Sequence, residues 1–312
     1  MATNTRRAVS VLLPAYNERE NLIELIPEID GVLSEAGLDF EIVVVDDGST
    51  DGTRTAMASV DSERVRAIRL RRNSGKSEAL RVGLTEVDAD IVVLMDADGQ
   101  DDPQELPNLL ARLDEGDVDL VSGRRSVRHD RFIKRNTSKV YNAVTSKATG
   151  IEGRDFNSGL KAMRGELAKS LELYGELHRY IPVLAVWAGF AVTEIDVEHH
   201  ERRHGKSKFG RSRFWRGFLD LITVKFLTTY TARPFHLFGG IGIATGFAGA
   251  ALLVWMAVLW IGGHEIGDRP ALLAGVLLVV VGVQMVSLGL MSELLVFLRR
   301  RRTLEADFDE VR

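Results

Sequence analysis

The chain has no cysteine among its 312 residues. This excludes a disulfide scaffold, a thiol nucleophile and a thiolate metal site, so any metal must be held by oxygen or imidazole. The first residues also lack the apolar core of a signal peptide, because Met1 to Arg7 is polar and leads directly into Val9-Ser10-Val11-Leu12-Leu13. The N-terminal part is therefore expected to stay in the cytoplasm. No internal repeat or low-complexity tract breaks the chain. A third absence is local: residues 234–263 contain no Asp, Glu, Lys or Arg.

That gap matters because the totals, 40 Lys+Arg against 44 Asp+Glu, describe an ordinary, mildly acidic soluble protein. Residues 1–198 hold 25 basic and 35 acidic side chains, a net −10, whereas residues 199–233 hold 9 against 2, a net +7. The split implies an acidic globular part followed by a basic, membrane-seeking part.

Phe235 to Gly262 is uncharged, and Ala271 to Val296 is interrupted only by Gln284 and Glu293. Each exceeds the roughly 20 residues that cross a bilayer and is twice the usual globular helix of about 11–12 residues. Spanning helices at about 236–262 and 271–296 are expected rather than buried core helices. Trp255 and Trp260 lie toward one end of the first, as interface anchors do. Arginines from Arg202 to Arg233 precede the pair and Arg299-Arg300-Arg301-Arg302 follow it, while the connecting Gly263 to Pro270 is short and slightly acidic. The positive-inside rule puts both flanks, and both termini, on the cytoplasmic side of a two-span hairpin. Gly239, Gly240, Gly242, Gly246 and Gly249 permit close packing within the chain or in a homo-oligomer. Glu293 is near enough to Arg299 to reach the interface, so anchoring is its expected role. Lys208 to Tyr230 interleaves cations with aromatic and aliphatic residues, which suits interfacial helices on membrane lipids rather than nucleic acid.

In the acidic part, short β-rich runs alternate with amphipathic stretches: Val9–Leu13, Glu41–Val45, Val65–Leu70, Ile91–Met95 and Asp119–Ser122. This predicts an α/β fold with a mostly parallel sheet. Ligands of such sheets bind beyond the carboxyl ends of the strands. The residues there are Pro14-Ala15-Tyr16-Asn17-Glu18, Asp46-Asp47-Gly48-Ser49 and Asp96-Ala97-Asp98-Gly99-Gln100. Asp96 and Asp98 offer the hard oxygen ligands of a phosphate-bound Mg²⁺ or Mn²⁺. Asp46 and Asp47 precede a glycine turn, where a carboxylate can accept hydrogen bonds from a base or ribose; Asp51 reads as the cap of the next helix.

These segments, with Arg72-Asn73-Ser74-Gly75-Lys76 between the second and third, recur in the same order in inverting family 2 glycosyltransferases of the GT-A fold, which the chain resembles. Ser122-Gly123-Arg124, Asp155-Phe156-Asn157-Ser158-Gly159 and Arg203-His204-Gly205-Lys206-Ser207-Lys208-Phe209-Gly210 resemble the branch of dolichol-phosphate mannose synthases and bacterial polyprenyl-phosphate glucosyltransferases. The resemblance spans nearly all of residues 9–235, and the hairpin is similar to that of two-span members. It implies a Rossmann-like catalytic domain over 1–200, a basic loop with interfacial amphipathic helices over 201–234, a transmembrane hairpin over 235–298 and a cytoplasmic tail over 299–312.

It also implies roles. Pro14, Tyr16, Glu18, Asp47, Lys76 and Asp96 would bind the nucleotide sugar, of GDP-mannose or UDP-glucose type. Asp96, Asp98 and Gln100 would hold Mg²⁺ or Mn²⁺. Arg124 and Arg135 would grip the phosphate of a dolichyl or undecaprenyl acceptor, making Asp98, Arg124 and Arg135 the implied catalytic set. Arg202, Arg203, Ser207 and Lys208 would close over the site. Members often have Leu where Gly99 stands and Pro where Asp102 stands, so a looser turn is expected here.

A lipid monophosphate with a second pKa of about 6 is largely dianionic at neutral pH and needs positioning more than deprotonation. Bidentate arginines do that, and in-line attack inverts the anomeric centre. His178 is near the place where relatives with hydroxyl acceptors put an acidic base, but the expected role is a helix-start residue contacting the sheet edge. His199, His200 and His204 with Glu198 show no fixed zinc-ligand spacing and read as a basic strand end. A processive polysaccharide synthase would carry a larger spanning bundle and a Gln-x-x-Arg-Trp motif, which this chain lacks. A non-catalytic nucleotide-binding membrane subunit would not need Glu18, Asp96, Asp98 and Arg124 intact.

Overall fold

The structure is a computed structural model that describes residues 8–58, 60, 62–125, 155, 158–200, 226, 234–265 and 270–307. The chain divides into two compact units, Met1–Val224 and Lys225–Arg312.

The first unit is built on a seven-stranded sheet. In chain order the elements are β1 (Ala8–Ala15), α1 (Arg19–Glu35), β2 (Asp39–Asp46), α2 (Thr53–Ala58), β3 (Val65–Arg69), α3 (Lys76–Glu86), β4 (Ile91–Leu94), α4 (Leu106–Asp114), β5 (Leu120–Arg125), β6 (Lys161–Arg164), α5 (Gly165–Ser170), α6 (Ile181–Trp187) and β7 (Val192–Val197). Short 3₁₀ turns, Pro103–Glu105 and Leu177–Tyr180, lead into α4 and α6. The strand order is β3-β2-β1-β4-β6-β5-β7. All neighbours are parallel except β6, which runs antiparallel to both β4 and β5.

Helices cover both faces of the central strands, so adjacent residues Val11 and Leu12 are both buried and the strand reads as a continuous apolar run. One core gathers Val9, Val11 and Leu13 with Ile42 and Val44, Leu22, Leu25, Ile29 and Leu33 of α1, and Leu106, Leu109 and Leu113 of α4. The α1 and α4 residues recur at three- and four-residue spacing, which puts each set on one helical face. The five expected strands are present. Strands β6 and β7 are additions to that expectation, since Lys161 and Arg164 in one and Thr193, Glu194 and Asp196 in the other dilute the apolar signal on which strand recognition depends.

Two long helices, α7 (Pro234–Ile261) and α8 (Pro270–Asp307), dominate the described residues of the second unit. Pro234–Ile261 and Pro270–Val296 are each long and apolar enough to cross a membrane, and they are mostly exposed in the folded chain, unlike the core helices of a soluble protein. Trp255 and Trp260 point outward. The helices meet through glycines: a Cβ on Gly242 would lie 2.7 Å from the Gly282 carbonyl oxygen, and one on Gly249 would lie 2.8 Å from that of Gly275. Gly242 and Gly249 thus serve packing within one chain. At the open end the carboxylate of Glu293 accepts the backbone N–H of Phe235 at 3.2 Å, capping the first turn of α7. The helix α8 continues beyond its apolar part through the four arginines to Asp307.

Candidate active site at the ends of β1, β2 and β4

Adjacent strands β2, β1 and β4 end together, and the loops that follow are laced to one another. The backbone N–H of Asp47 donates to the Ala15 carbonyl (2.8 Å), that of Asn17 to Ser49 Oγ (2.8 Å), and that of Thr50 to Asn17 Oδ1 (2.8 Å). Asn17 accepts a φ of 54° to make this contact. Gly48, at φ 71°, lets the Asp-Asp turn approach the next loop, where a Cβ would sit 2.6 Å from the Arg72 carbonyl carbon. Asp51 caps α2 by accepting from Thr53 N–H (3.0 Å) and Thr53 Oγ1 (2.6 Å), and it also accepts from Arg19 N–H (3.1 Å). Burial opposes its ionisation, but these bonds outweigh it and hold the carboxyl below its usual range.

Asp46 and Asp47 are both buried and do different work. Asp46 Oδ1 closes its own turn on Ser49 N–H (2.8 Å), while Oδ2 pairs with Arg69 (3.4 Å). Asp47 reaches across to the loop before α3, accepting Ser74 N–H (2.7 Å) and Gly75 N–H (2.8 Å) with its two oxygens. It thereby fixes the start of α3, whose first residue, Lys76, carries its ammonium onto the Asp96 carboxylate. Glu18 accepts from Asn21 Nδ2 (2.6 Å) at the first turn of α1.

Around Asp96 the sequence-marked residues meet others that carried no assigned role. Burial works against ionisation of Asp96, yet Lys76, by its charge and its hydrogen bond, and Lys161 keep its pKa below the ordinary carboxylate value. Lys161, on β6, is 2% exposed and donates to the Ser158 carbonyl; burial and Lys76 push its pKa down to about 8 against the opposing pull of Asp155, Asp96 and Asp101. Asp155, 1% exposed, holds Arg125 through two bonds of 2.7 and 2.9 Å. Gly159 forms the wall beside Asp96, where a Cβ would stand 2.5 Å from the carboxylate carbon. The signals for these residues were a lone lysine in the apolar run Leu160-Lys161-Ala162-Met163 and the motif at Asp155–Gly159, whose spacing shows no partner.

The turn after Asp96 is tied down rather than loose. Asp98 Oδ1 accepts Gln100 N–H (3.2 Å), and His200 N–H donates to the Gln100 carbonyl (2.8 Å) while Gln100 Nε2 donates back to that of His200 (3.3 Å). Asp101 is buried, accepting Asp96 N–H (3.3 Å) and pairing with His199 (3.3 Å). Asp102 caps the Pro103–Glu105 turn through Gln104 N–H (2.9 Å) and meets His200 Nε2 (2.9 Å). Asp102, Glu198 and His200 bring potential ligand atoms within 4.8 Å of one another, a grouping the sequence could not display because Asp102 is far from the histidines in the chain.

Arg124 lies beyond this cluster, on β5. It forks onto its register partner Asp196 with two bonds of 2.6 Å, and alternation along the strand turns Arg125 inward to Asp155. His178 belongs to the 3₁₀ turn before α6, as a helix-start residue should, but it contacts Ser77 of α3 rather than the sheet edge. Burial pushes its imidazole pKa well below the ordinary value, and Lys76, Arg179 and Lys161 add to that while Asp96 opposes. Arg135, Arg202, Arg203, His204, Ser207 and Lys208 lie outside the described residues.

Carboxylates that suit a hard cation, set among lysines and arginines, make a place for a ligand bearing both metal and phosphate. The model of glycosyl transferase family 2 matches residues 10–172. The dodecaprenyl-phosphate galacturonate synthase of Rhizobium johnstonii is 34% identical over 294 residues, 92% of this chain and 87% of that one. An undecaprenyl-phosphate 4-deoxy-4-formamido-L-arabinose transferase of Edwardsiella ictaluri is 35% identical over 292 residues, 93% and 89% of the two chains. Among solved structures, glucosyl-3-phosphoglycerate synthase of Mycobacterium tuberculosis in complex with Mn²⁺ and uridine-diphosphate-glucose superposes with a TM-score of 0.55 at 23% identity, covering 71% of this chain and 79% of that one. Mannosyl-3-phosphoglycerate synthase of Rubrobacter xylanophilus gives 0.57 at 22% identity, over 70% and 73%. These likenesses establish the GT-A-like fold of the sheet domain.

Proposed function

The chain belongs to glycosyl transferase family 2, and from that premise we propose that it transfers one sugar from a nucleotide donor to a polyprenyl phosphate at the cytoplasmic face of a membrane. The observation that carries this reading is coverage: relatives named for dodecaprenyl- and undecaprenyl-phosphate acceptors align over 92% and 93% of the chain, far past the family match that ends at residue 172. The aligned length includes most of the two apolar helices, which a water-soluble acceptor would not require. A sugar carried on a water-soluble nucleotide and an acceptor dissolved in lipid can meet only at their common boundary.

The domains would divide the work as the charge does, with an acidic catalytic part over 1–200, a basic lipid-facing stretch over 201–234 and an anchoring hairpin over 235–298. Pro14, Tyr16, Glu18, Asp47 and Lys76 would contact the nucleotide, Asp47 also bracing the loop that aims Lys76. Asp96, Asp98 and Gln100 would hold Mg²⁺ or Mn²⁺. Their oxygen donors fit such an ion, and Lys76 on Asp96 already marks the position as one that attracts a cation. When bound, the ion neutralises charge on the departing diphosphate. The chain's own cations, Lys76 and Lys161, contribute to the same end.

Arg124 would grip the acceptor phosphate with Arg135. Its two-pronged hold on Asp196 is the geometry in which a guanidinium binds phosphate, so the acceptor would replace a carboxylate by a dianion. Arg202, Arg203, Ser207 and Lys208 would enclose the reacting groups. Because the acceptor arrives ionised, the residues position it for in-line attack and the anomeric configuration inverts.

The test uses the full chain in nanodiscs with undecaprenyl or dolichyl phosphate, Mg²⁺ or Mn²⁺ and a panel of UDP- and GDP-sugars, read by mass of the extracted lipid. One added sugar per lipid is expected, and the panel identifies the base and the sugar. A polymeric product, or no transfer from any donor, would overturn the reading.

A further inference from the structure

His178 is a half-buried imidazole beside Asp96, in a place that invites the role of a general base. The hydrogen bonds of Ser77 argue otherwise. Ser77 Oγ receives the backbone N–H of His178 (3.2 Å) and lies 2.9 Å from His178 Nδ1. Ser77 is 1% exposed, so its hydroxyl hydrogen must be satisfied inside the protein, and Nδ1 is its acceptor among the described residues. A ring whose Nδ1 presents a lone pair carries its proton on Nε2. The reverse tautomer, with Nδ1–H directed at Oγ, would strand a buried hydroxyl hydrogen, as would the doubly protonated ring.

We propose that His178 is a neutral Nε2–H donor to a phosphate oxygen of the bound substrates, fixed in that tautomer by Ser77, and not a general base. The proposal rests on the transferase reading above. Nε2 makes no hydrogen bond to the described residues, and the charged groups that set its surroundings are Lys76, Arg179, Asp96 and Lys161. Surroundings that hold two ammonium groups and a guanidinium suit an anionic oxygen, and a nitrogen that holds its proton cannot take one from a nucleophile. A dianionic phosphate acceptor has none to give. The oxygen could belong to the nucleotide diphosphate or to the lipid phosphate, since both present the same acceptor to an N–H group.

Three substitutions separate donor from base. His178→Gln keeps an N–H group near Nε2, His178→Glu supplies a base without a donor, and His178→Ala supplies neither. Transfer is expected to fall about 10- to 100-fold in the alanine and glutamate variants and to recover to within several-fold of wild type in the glutamine variant. An active glutamate variant with an inactive glutamine variant would overturn the proposal, as would unchanged kinetics in all three. Calorimetry with UDP–Mn²⁺ and GDP–Mn²⁺, set beside the KM for undecaprenyl phosphate, identifies which phosphate is held, because only the affinity for that ligand weakens. ¹⁵N-histidine spectra of the full chain should show the Nε2–H form in wild type and a mixture in Ser77→Ala; an Nδ1–H wild type also overturns the proposal. If wild type transfers no sugar, the functional reading fails while the nucleotide titration and the spectra still decide the state of His178.

Discussion

In the sheet unit Gly159 makes room for a charged side chain, whereas in the hairpin Gly242, Gly249 and Gly282 make room for backbone. Carboxylates differ in the same way. Asp96 is surrounded by Lys76, Lys161 and His178, brought from three separate elements, while Glu293 meets a single backbone N–H. The difference follows from what each unit must exclude. A site that handles phosphate has to gather charges and pair them as they leave water, so it draws on distant parts of the chain. Helices in lipid gain no hydrophobic energy from meeting one another and rely on close contact and on satisfied polar ends.

The contrast is sharpest where losing one group removes chemistry but leaves packing intact. Asp98→Ala should lower turnover by about 100-fold or more, with unchanged thermal unfolding of the full chain; Mn²⁺ binding followed by electron paramagnetic resonance should be lost as well. His200→Ala, which dismantles the Asp102–Glu198–His200 grouping, should retain that binding, and the opposite pair of results would move the metal to the histidine cluster. Gly159→Ala pushes directly on Asp96 and should reduce turnover on the order of 10- to 100-fold, as small misplacements of reacting groups do. Its fold should survive, since the displaced atoms belong to a side chain, and a variant with full activity would mean that the position of Asp96 is not critical.

Effects in the hairpin should appear in stability instead. Gly282→Val forces bulk against the backbone of α7 and should cost about 1–3 kcal/mol, measured as easier separation of the helices by paired cysteines placed in this cysteine-free chain. Nucleotide binding by the same variant should match wild type. Smallest is Glu293→Gln, which keeps an acceptor for Phe235 N–H but loses its charge, at a cost of about 0.5–1 kcal/mol. A much larger loss would show that the carboxylate does more than cap α7.

Legibility followed the range of the interactions. Strands β1 to β5, the two apolar helices and the cap at Asp51 were readable because each depends on neighbours in the chain. The strand-end clusters were readable as a group because parallel strands point their carboxyl ends the same way. Strands β6 and β7 were not, being polar segments that the sheet accepts once its centre exists. The sequence could mark Asp47 as a site carboxylate but not its grip on Ser74 and Gly75, and it could mark Arg124 but not Asp196. For His178 it left two roles open, and only the approach of α3 to the Leu177–Tyr180 turn supplied the serine that fixes the ring.

By itself, then, the sequence determined what kinds of groups the protein has and where water and lipid would divide it: carboxylates after strands, cations before the hairpin, and a stretch with no charge at all. The tertiary structure decided their partners. Composition and periodicity act over a few residues, so they are written in the chain; pairing of Asp96 with Lys76, Asp155 with Arg125 and Gly242 with Gly282 depends on which elements come to lie side by side, and that is settled when the whole unit packs.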